Sequence, residues 1–236
     1  MNIRLYHPAS ILENSTSLLS KEHTHYVVNV MRLKRGSNLN FFNKNGEWRS
    51  EVIFLNKDRV EVRFLEKIKE ANNLSTTQLA ICLVKKNAMD NILQKATELG
   101  VSKIIPIVSE RTEVKELNYD RAKKIIIEAT EQSNQLAPPE INDVVRLKDF
   151  LSSFEMNSKL LFADVNSKDK LKTEDLKNSK NVCILIGPEG DFSPVEREFI
   201  LQNRAVKPFT LSRNILRSDT AVISAISLVN FINNFN

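Results

Sequence analysis

Carboxylates and arginines are concentrated in two short loops near the C-terminal end of this 236-residue chain. The stretch "ILIGPEGDFSPVERE" places Glu189 and Asp191 between an apolar run and the start of a helix. The stretch "LSRNILRSDTAVISAI" places Arg217 and Asp219 in the same setting. A carboxylate can act as a general base, and an arginine can stabilise an anion that develops during a reaction. The two loops are therefore the first candidates for a site of chemistry.

The first loop contains two of the five glycines in the chain, Gly187 and Gly190. Their spacing matches neither a P-loop nor a dinucleotide-binding fingerprint. The carboxylates of Glu189 and Asp191 would also repel a phosphate group. The pattern fits a ligand without phosphate, and it fits a plain turn from strand to helix equally well.

The second loop has an arginine at each end, Arg213 and Arg217, next to a predicted helix N-terminus. The positive end of a helix dipole disfavours cations, so this position is unfavourable unless an anion or a partner is nearby. We interpret Arg217 as functional and leave Arg213 open between function and an ordinary surface position. Ser218 and Asp219 are predicted to cap the helix.

Further basic and polar residues follow the predicted strands and helices of the middle segment. Lys86 and Arg111 come directly after two strands and could contact phosphates. Glu131, Gln132 and Asn134 lie where a helix ends, where they could contact a base edge or only cap the helix.

Composition argues against several other kinds of site. Cys82 and Cys183 each lie inside an apolar run, which favours two buried thiols over a disulfide or a metal site. The three histidines have no partners at metal-ligand spacing, so no metal is expected. No apolar run is long enough to cross a membrane, and the first residues lack the features of a secretory signal. These patterns predict a cytoplasmic protein with no membrane partner.

The chain carries a net charge of +5, and most of the excess lies in its first third. Residues 1–70 hold 12 Lys and Arg against 8 Asp and Glu, whereas residues 71–236 hold 22 against 21. A basic segment of this kind can bind a polyanion, although an excess of this size is also common on solvated surfaces.

The elements that must position these residues fall into two domains. Residues 1–70 predict a small, barrel-like β domain, with short strands at "IRLY", "NLNFF", "EWRSEVIFL" and "RVEVRFLEKI" and one helix at "KEHTHYVVNVM". Residues 71–236 alternate between apolar strands and amphipathic helices, which predicts an α/β domain with a mostly parallel sheet. The polar stretch 69–77 is the predicted linker. Two helix ends are also predicted, a capping box at Ser193 to Glu196 and a C-terminal cap at Gly100.

Four motifs, in this order, resemble the bacterial 16S rRNA uracil-N3 methyltransferases, the RsmE family of the SPOUT superfamily. They are "MDNILQKATELGVSKIIPIVSERTEVK", "EATEQSNQLAPPEI", "LIGPEGDFSPVE" and "LSRNILRSDTA". The N-terminal "IRLYHP" and "HYVVNVMRLKRG" are also similar to the start of that family, so the resemblance spans nearly the whole chain.

The resemblance implies a PUA-like β-barrel RNA-binding domain at residues 1–70 and a SPOUT α/β methyltransferase domain with a trefoil knot at residues 71–236. It also implies a homodimer whose active site uses both subunits. The implied cofactor is S-adenosylmethionine, and its implied contacts come from three loops: Leu161, Phe162, Ala163, Ile186, Gly187, Pro188, Glu189, Gly190, Leu211, Ser212, Ile215, Leu216 and Thr220. Leu211, Ile215 and Leu216 would line the adenine pocket.

Methylation at uracil N3 requires loss of the N3 proton, so the site needs a base or a cation that stabilises the uridine anion. Arg217 is the candidate cation, and Glu189 or Asp219 is the candidate base. The expected partner is 16S rRNA within the 30S subunit. Its predicted contacts are Arg4, Arg32, Lys34, Arg35, Lys86 and Arg111.

The chain departs from the family pattern at a few positions. Asp191 and Ser212 stand where the family usually has glycine, and Ser218-Asp219 replace a usual Thr-Glu pair. Two alternatives stay open. One is a SPOUT enzyme that acts on a ribose 2′-OH or on guanine N1, which the absence of an arginine in "NAMDNILQKATELG" disfavours. The other is a non-catalytic RNA-binding or assembly protein, which Asp191 and Ser212 would favour.

Overall fold

The computed structural model describes residues 3–71, 76–155, 158–176 and 181–234. The chain forms two compact units, the first made of residues 1–73 with 130–137 and the second of residues 74–129 with 138–236. Part of the predicted linker, residues 72–75, lies outside the described residues.

The first unit is built on a five-stranded sheet. Its strands are β1 (Arg4–Tyr6), β2 (Thr16–Leu18), β3 (Asn38–Asn43), β4 (Gly46–Leu55) and β5 (Val60–Glu70). The sheet order is β1-β3-β4-β5-β2, with β1 and β3 parallel and the other neighbours antiparallel. Its core includes Phe41 and Phe64, whose rings meet edge to face at 5.6 Å. The predicted long strands are confirmed, whereas the short β2 had not been predicted.

The helical segment of the first unit differs from its prediction. Helix α1 (Lys21–His25) is capped by Ser20, and the chain then forms a π-helical turn over Tyr26–Val30. The amide of Met31 donates to the carbonyl of Tyr26, five residues back, at 2.9 Å. The predicted single helix over 21–31 is therefore wrong in its second half. Valine side chains lose rotamer freedom in an α-helix, which weakens the α-helical preference of this stretch.

The second unit is built on a seven-stranded sheet in which every strand pairing between described residues is parallel. Its strands are β6 (Thr77–Cys82), β7 (Lys103–Val108), β8 (Glu140–Ile141), β9 (Val145–Arg146), β10 (Lys159–Ala163), β11 (Val182–Ile186) and β12 (Val206–Phe209). The order is β12-β10-β11-β6-β7-β8, and β9 also pairs with β7. This confirms the predicted parallel α/β arrangement.

Helices cover both faces of this sheet. They are α2 (Lys86–Glu98), α3 (Tyr119–Gln132), α4 (Leu147–Ser152), α5 (Thr173–Leu176), α6 (Pro194–Gln202) and α7 (Ser218–Asn234). Along β6, Leu79 and Ile81 pack into one core with α2 and α7, while Ala80 and Cys82 pack into the other with α4 and α6. Burial on both faces explains why the strands read as continuous apolar runs. Cys82 and Cys183 are buried free thiols, as predicted.

Two predicted helix ends are confirmed. Ser193 Oγ accepts the amide of Glu196, and the Glu196 carboxylate accepts the amide of Ser193, so the capping box precedes Pro194 at the start of α6. Gly100 follows the C-cap residue Leu99 of α2 with a φ of +81°. Within the described residues, no helix combines the length and the apolar character needed to cross a membrane.

Candidate functional site

Three neighbouring parallel strands end at the same edge of the second sheet. β10 lies between β12 and β11, so the loops that follow these three strands come together. In open α/β sheets, ligands bind beyond the carboxyl ends of the strands. These are the three loops that the sequence motifs single out.

The loop after β10 begins with Asp164, whose carboxylate is completely buried. Its Oδ2 accepts from Arg197 Nη2 at 2.7 Å and from Nε at 3.1 Å. The hydrogen bonds to Asp164 raise the pKa of the Arg197 guanidinium, and the nearby negative charge of Asp191 acts in the same direction. The Asp164 amide donates to the Phe209 carbonyl at the end of β12, at 3.0 Å. Asp164 therefore links the start of the β10 loop to helix α6, which follows the β11 loop, and to the end of β12.

Sequence reasoning missed Asp164 and Arg197. A signal was present, because an acidic residue directly follows a buried strand in "LLFAD" and a basic one directly follows the capping Glu196.

The loop after β11 is a turn stabilised by its own backbone. Asp191 has a φ of +59°, its amide donates to the Pro188 carbonyl at 3.0 Å, and its Oδ1 accepts the Phe192 amide at 2.8 Å. Asp tolerates the left-handed region better than most residues because its side chain can hydrogen-bond locally. This gives a structural reason why Asp can replace the usual glycine.

The loop after β7 is connected to the same turn. Arg111 Nη1 donates to the Gly190 carbonyl at 3.1 Å, and the Glu110 amide donates to Glu196 Oε1 at 2.8 Å. The predicted phosphate contact Arg111 is exposed, but it also supports the glycine-bearing loop.

The loop after β12 leads into α7 and meets the glycine-bearing loop. Ser218 Oγ donates to the Gly187 carbonyl at 3.4 Å. The Arg217 carbonyl accepts the first helical hydrogen bond, from the Ala221 amide at 2.8 Å. Ser218 and Asp219 are therefore the first helical residues, and the prediction that they cap α7 is wrong.

The candidate catalytic side chains lie around this junction. Arg217 and Glu189 are exposed, and their side chains form no hydrogen bond or ion pair within the described parts of the chain. Asp219 is half-buried; its Oδ2 accepts from Asn91 Nδ2 on α2 at 3.2 Å, and its Oδ1 accepts from the Thr220 amide at 2.8 Å. Asn91, which sequence reasoning also missed, therefore orients Asp219.

Several predicted cofactor residues are part of the hydrophobic core. Leu161 and Phe162 in β10 and Ile186 in β11 are at most 2% exposed, and Pro188 is also buried. These side chains pack within the protein, so contacts of the four residues with the cofactor would have to come from their backbone groups, and their assignment stays a prediction. Ala163, at the end of β10, is only partly buried.

The predicted adenine-pocket residues divide into two groups. Leu211 and Leu216 are half-buried and pack against the core shared with α7. The Ile215 side chain is 88% exposed, and its place in an adenine pocket stays a prediction. Ser212 and Thr220 are exposed, and Ser212 Oγ accepts the Asn214 amide at 3.0 Å.

Arg4 is not an exposed cation, which corrects its predicted role in RNA binding. Its side chain is 9% exposed, and its Nε donates to Glu47 Oε2 at 3.0 Å. Its other nitrogens donate to the carbonyls of Glu131 and Gln135, at 3.2 and 3.1 Å. Glu131 in turn accepts the Tyr6 amide at 2.9 Å, so it is also structural within the first unit.

The remaining predicted RNA contacts are available at the surface. Arg32, Lys34 and Arg35 follow the π-helical turn and are exposed, as is Lys86 at the start of α2. No group of three or more His, Cys, Asp or Glu residues in the described chain could hold a metal ion.

Comparison with known proteins agrees with this architecture. A family model described as an RNA methyltransferase domain matches residues 69–230, and one described as an RNA methyltransferase PUA domain matches residues 19–65. The ribosomal RNA small subunit methyltransferase E of Rickettsia conorii is 34% identical, covering 97% of this chain and 95% of that protein. The chain belongs to the ribosomal RNA small subunit methyltransferase E family.

Other relatives extend the match. The family member from Bacillus subtilis is 29% identical over 94% of this chain and 92% of its own. The Neisseria gonorrhoeae member, solved bound to S-adenosyl methionine, superposes with a TM-score of 0.89 at 26% identity, covering 98% of both chains. A Legionella pneumophila protein solved in complex with the cofactor SAM gives a TM-score of 0.84 at 30% identity, again over 98% of both chains. Members of this α/β family with a PUA-like domain are RNA methyltransferases.

Proposed function

We propose that this protein uses S-adenosylmethionine to methylate N3 of a specific uridine in 16S rRNA of the small ribosomal subunit. The observation that carries the proposal is the junction of the loops after β10, β11 and β12, at the edge where α/β folds bind ligands. Family membership supplies the reaction class.

The loops fit S-adenosylmethionine in their chemistry. The cofactor has no phosphate, and the turn holding Glu189 and Asp191 lacks the features of a phosphate site. A Cβ placed at Gly190 would have no atom of the described protein within 4 Å apart from its two neighbours in the chain, so this backbone is open to a ligand. We assign cofactor contacts to Ala163, Gly187, Glu189, Gly190, Leu211, Ser212, Ile215, Leu216 and Thr220, and contacts through backbone groups to Leu161, Phe162, Ile186 and Pro188.

The bound cofactor supplies an electrophilic methyl group, and the chain's residues prepare the uridine. Alignment of nucleophile and methyl carbon contributes much of the rate in reactions of this kind. The exposed guanidinium of Arg217 would stabilise negative charge on the uracil carbonyl oxygens after N3 loses its proton. Glu189 or Asp219 would take that proton, and Asn91 would hold Asp219 in place.

Further features follow from the family resemblance. We propose that residues 1–70 form a PUA-like barrel that binds RNA through Arg32, Lys34 and Arg35, and that residues 71–236 form the methyltransferase domain. Lys86 and Arg111 would add contacts from the second domain. The proposed substrate is the 30S particle, the proposed assembly is a homodimer, and the proposed location is the cytoplasm.

We also propose that the second unit contains a trefoil knot. Strand β12 lies outside β10, yet the chain that follows it returns to start α7 beside Gly187. Helix α7 then packs with α2 in the core under the sheet. This return of the C-terminal segment past the β11 loop supports threading of the chain.

The decisive experiment is nucleoside analysis of 16S rRNA from a strain that lacks the gene, with and without the restored gene. We expect 3-methyluridine to disappear in the deletion strain and to return on complementation. Loss of a ribose-methylated or guanine-methylated nucleoside instead would contradict the proposed position of methylation. Unchanged rRNA together with no binding of S-adenosylmethionine in calorimetry would favour a non-catalytic RNA-binding protein.

A further inference from the structure

The ion pair between Asp164 and Arg197 joins two of the loops of the candidate site. Asp164 directly follows β10, and Arg197 lies in the first half of α6, behind the glycine-bearing loop after β11. Two guanidinium nitrogens contact the carboxylate, with Nη2 to Oδ2 at 2.7 Å and Nε to both oxygens at 3.1 and 3.2 Å. Planar pairing of this kind fixes orientation as well as distance.

The surroundings of the pair limit how it can move. The Asp164 side chain is 0% exposed and that of Arg197 is 33% exposed. Asp164 Oδ1 also accepts the Asn166 amide at 2.9 Å, which holds the loop after β10 around the same carboxylate. The backbone amide of Asp164 also donates to the Phe209 carbonyl, which fixes the backbone of this residue beside the end of β12.

A buried ion pair often contributes little net stability, since desolvation of both charges offsets their attraction. Stability alone is therefore a weak reason for a charged pair at this position. A rigid link between the two loops has a clear use if the cofactor must contact both.

We propose that Asp164 and Arg197 are positioning residues, whose ion pair sets the separation of the β10 and β11 loops for binding of S-adenosylmethionine. This inference rests on the proposed function. Neither residue needs to touch the cofactor, because the pair acts through the loops that it joins.

The test compares binding of S-adenosylmethionine by calorimetry with thermal unfolding measured without cofactor. The variants are Arg197→Lys, Arg197→Met and the double variant Asp164→Asn with Arg197→Met, which avoids an unpaired buried carboxylate. The matched control is Arg121→Met, since Arg121 makes a similar two-nitrogen contact with Asp90, at 2.6 and 2.9 Å, in the same unit.

We expect Arg197→Met and the double variant to raise the Kd for S-adenosylmethionine about tenfold, a typical effect of removing a charge-assisted hydrogen bond. The effect in the double variant should not exceed that in Arg197→Met, because both remove the same link. Arg197→Lys should restore part of the affinity, and Arg121→Met should bind like the wild type. In methylation assays, the KM for the cofactor should rise with little change in kcat.

Two results distinguish a failure of the positioning role from a failure of the proposed function. If the wild type binds the cofactor and all Arg197 variants bind it equally well, the pair is only structural and the positioning role is wrong, whatever their unfolding temperatures. If the wild type itself binds no S-adenosylmethionine, the proposed function and this inference are both overturned.

Discussion

The ring of Phe192 lies against the α-carbon of Gly187, close enough that a Cβ at position 187 would stand 3.1 Å from ring carbon Cε2. Phe192 is itself buried and packs against Phe162 of β10, with ring centroids 5.6 Å apart. A side chain at position 187 would therefore force the buried ring of Phe192 to shift by a few tenths of an ångström. The other glycine of the loop, Gly190, has open space around it.

This difference predicts that one alanine variant mainly loses stability and that the other mainly loses affinity for the cofactor. Gly187→Ala should lower the free energy of unfolding by about 1–3 kcal/mol, the usual cost of overpacking. Gly190→Ala should leave stability nearly unchanged and weaken cofactor binding, because a methyl group would enter the space assigned to the ligand. Urea unfolding and calorimetry measure the two effects, and equal stability of both variants would contradict the packing argument.

Substitutions at Asp191 should follow its backbone conformation. At a φ of +59°, Asp191→Ala should cost about 1–2 kcal/mol, since alanine is strained in the left-handed region. Asp191→Asn keeps the local acceptor and should stay within about 0.5 kcal/mol of the wild type. Denaturant unfolding of both proteins is the measurement. An alanine variant as stable as the wild type would show that the turn does not need this residue.

Removal of Arg217 should separate catalysis from cofactor binding. Arg217→Ala should lower kcat by about a hundredfold, a typical effect for a group that stabilises transition-state charge, with an unchanged Kd for S-adenosylmethionine. The control is Arg204→Ala, an exposed arginine that precedes β12 and so lies at the end of the strands opposite to the candidate site. Normal methylation of 30S particles by Arg217→Ala would rule out its catalytic role.

The salt dependence of RNA binding should reveal the basic surface of the first unit. When Arg32, Lys34 and Arg35 are changed to Gln, the RNA association constant K should depend less steeply on salt. The negative slope of log K against log salt should become shallower by roughly one for each phosphate that the variant no longer neutralises. Arg49→Gln is a suitable control because Arg49 is already paired with Glu66 at 2.7 Å. Filter binding across a salt series would show this, and parallel lines for mutant and wild type would argue against the assignment.

The two buried thiols should make stability fall at high pH. Burial raises the pKa of Cys82 and of Cys183 to about 12, so the native thiols stay protonated where unfolded thiols ionise. The stability that the two thiols contribute is complete below the unfolded pKa, which is near 9. It is lost as the pH rises from there towards 12, the pKa of the native thiols. Each thiol should add a slope of about −1.4 kcal/mol per pH unit within that window.

The comparison for this effect is the double variant Cys82→Ala with Cys183→Ala. Its unfolding free energy should decline less steeply between pH 9 and 10 than that of the wild type. Native protein should also react slowly with a thiol reagent at pH 8. Two rapidly reacting thiols would contradict the burial of these residues.

Much of the second unit could be predicted because its local signals agree with its tertiary structure. Continuous apolar runs marked the buried strands, and the Ser193 to Glu196 capping box fixed the start of α6. The first unit was less predictable, because the π-helical turn after α1 and the three-residue β2 depend on their packing partners. Within the candidate site, the motifs identified the loops. Whether a given side chain is exposed or buried could not be predicted, because it depends on neighbours that are distant in sequence.

The sequence by itself determined the order of the long strands and helices, the two loops rich in carboxylates and arginines, and the family. These follow from periodicity, capping and motif spacing, which are local properties of the chain. Only the tertiary structure decided that Arg4 is buried against Glu47, that Leu161 and Phe162 belong to the core, and that Arg197 pairs with Asp164. A charged residue has the same local sequence pattern whether it faces solvent or a buried partner. Its role is decided only by the fold, which brings together Asp164 and Arg197, 33 positions apart, and Arg4 and Glu47, 43 positions apart.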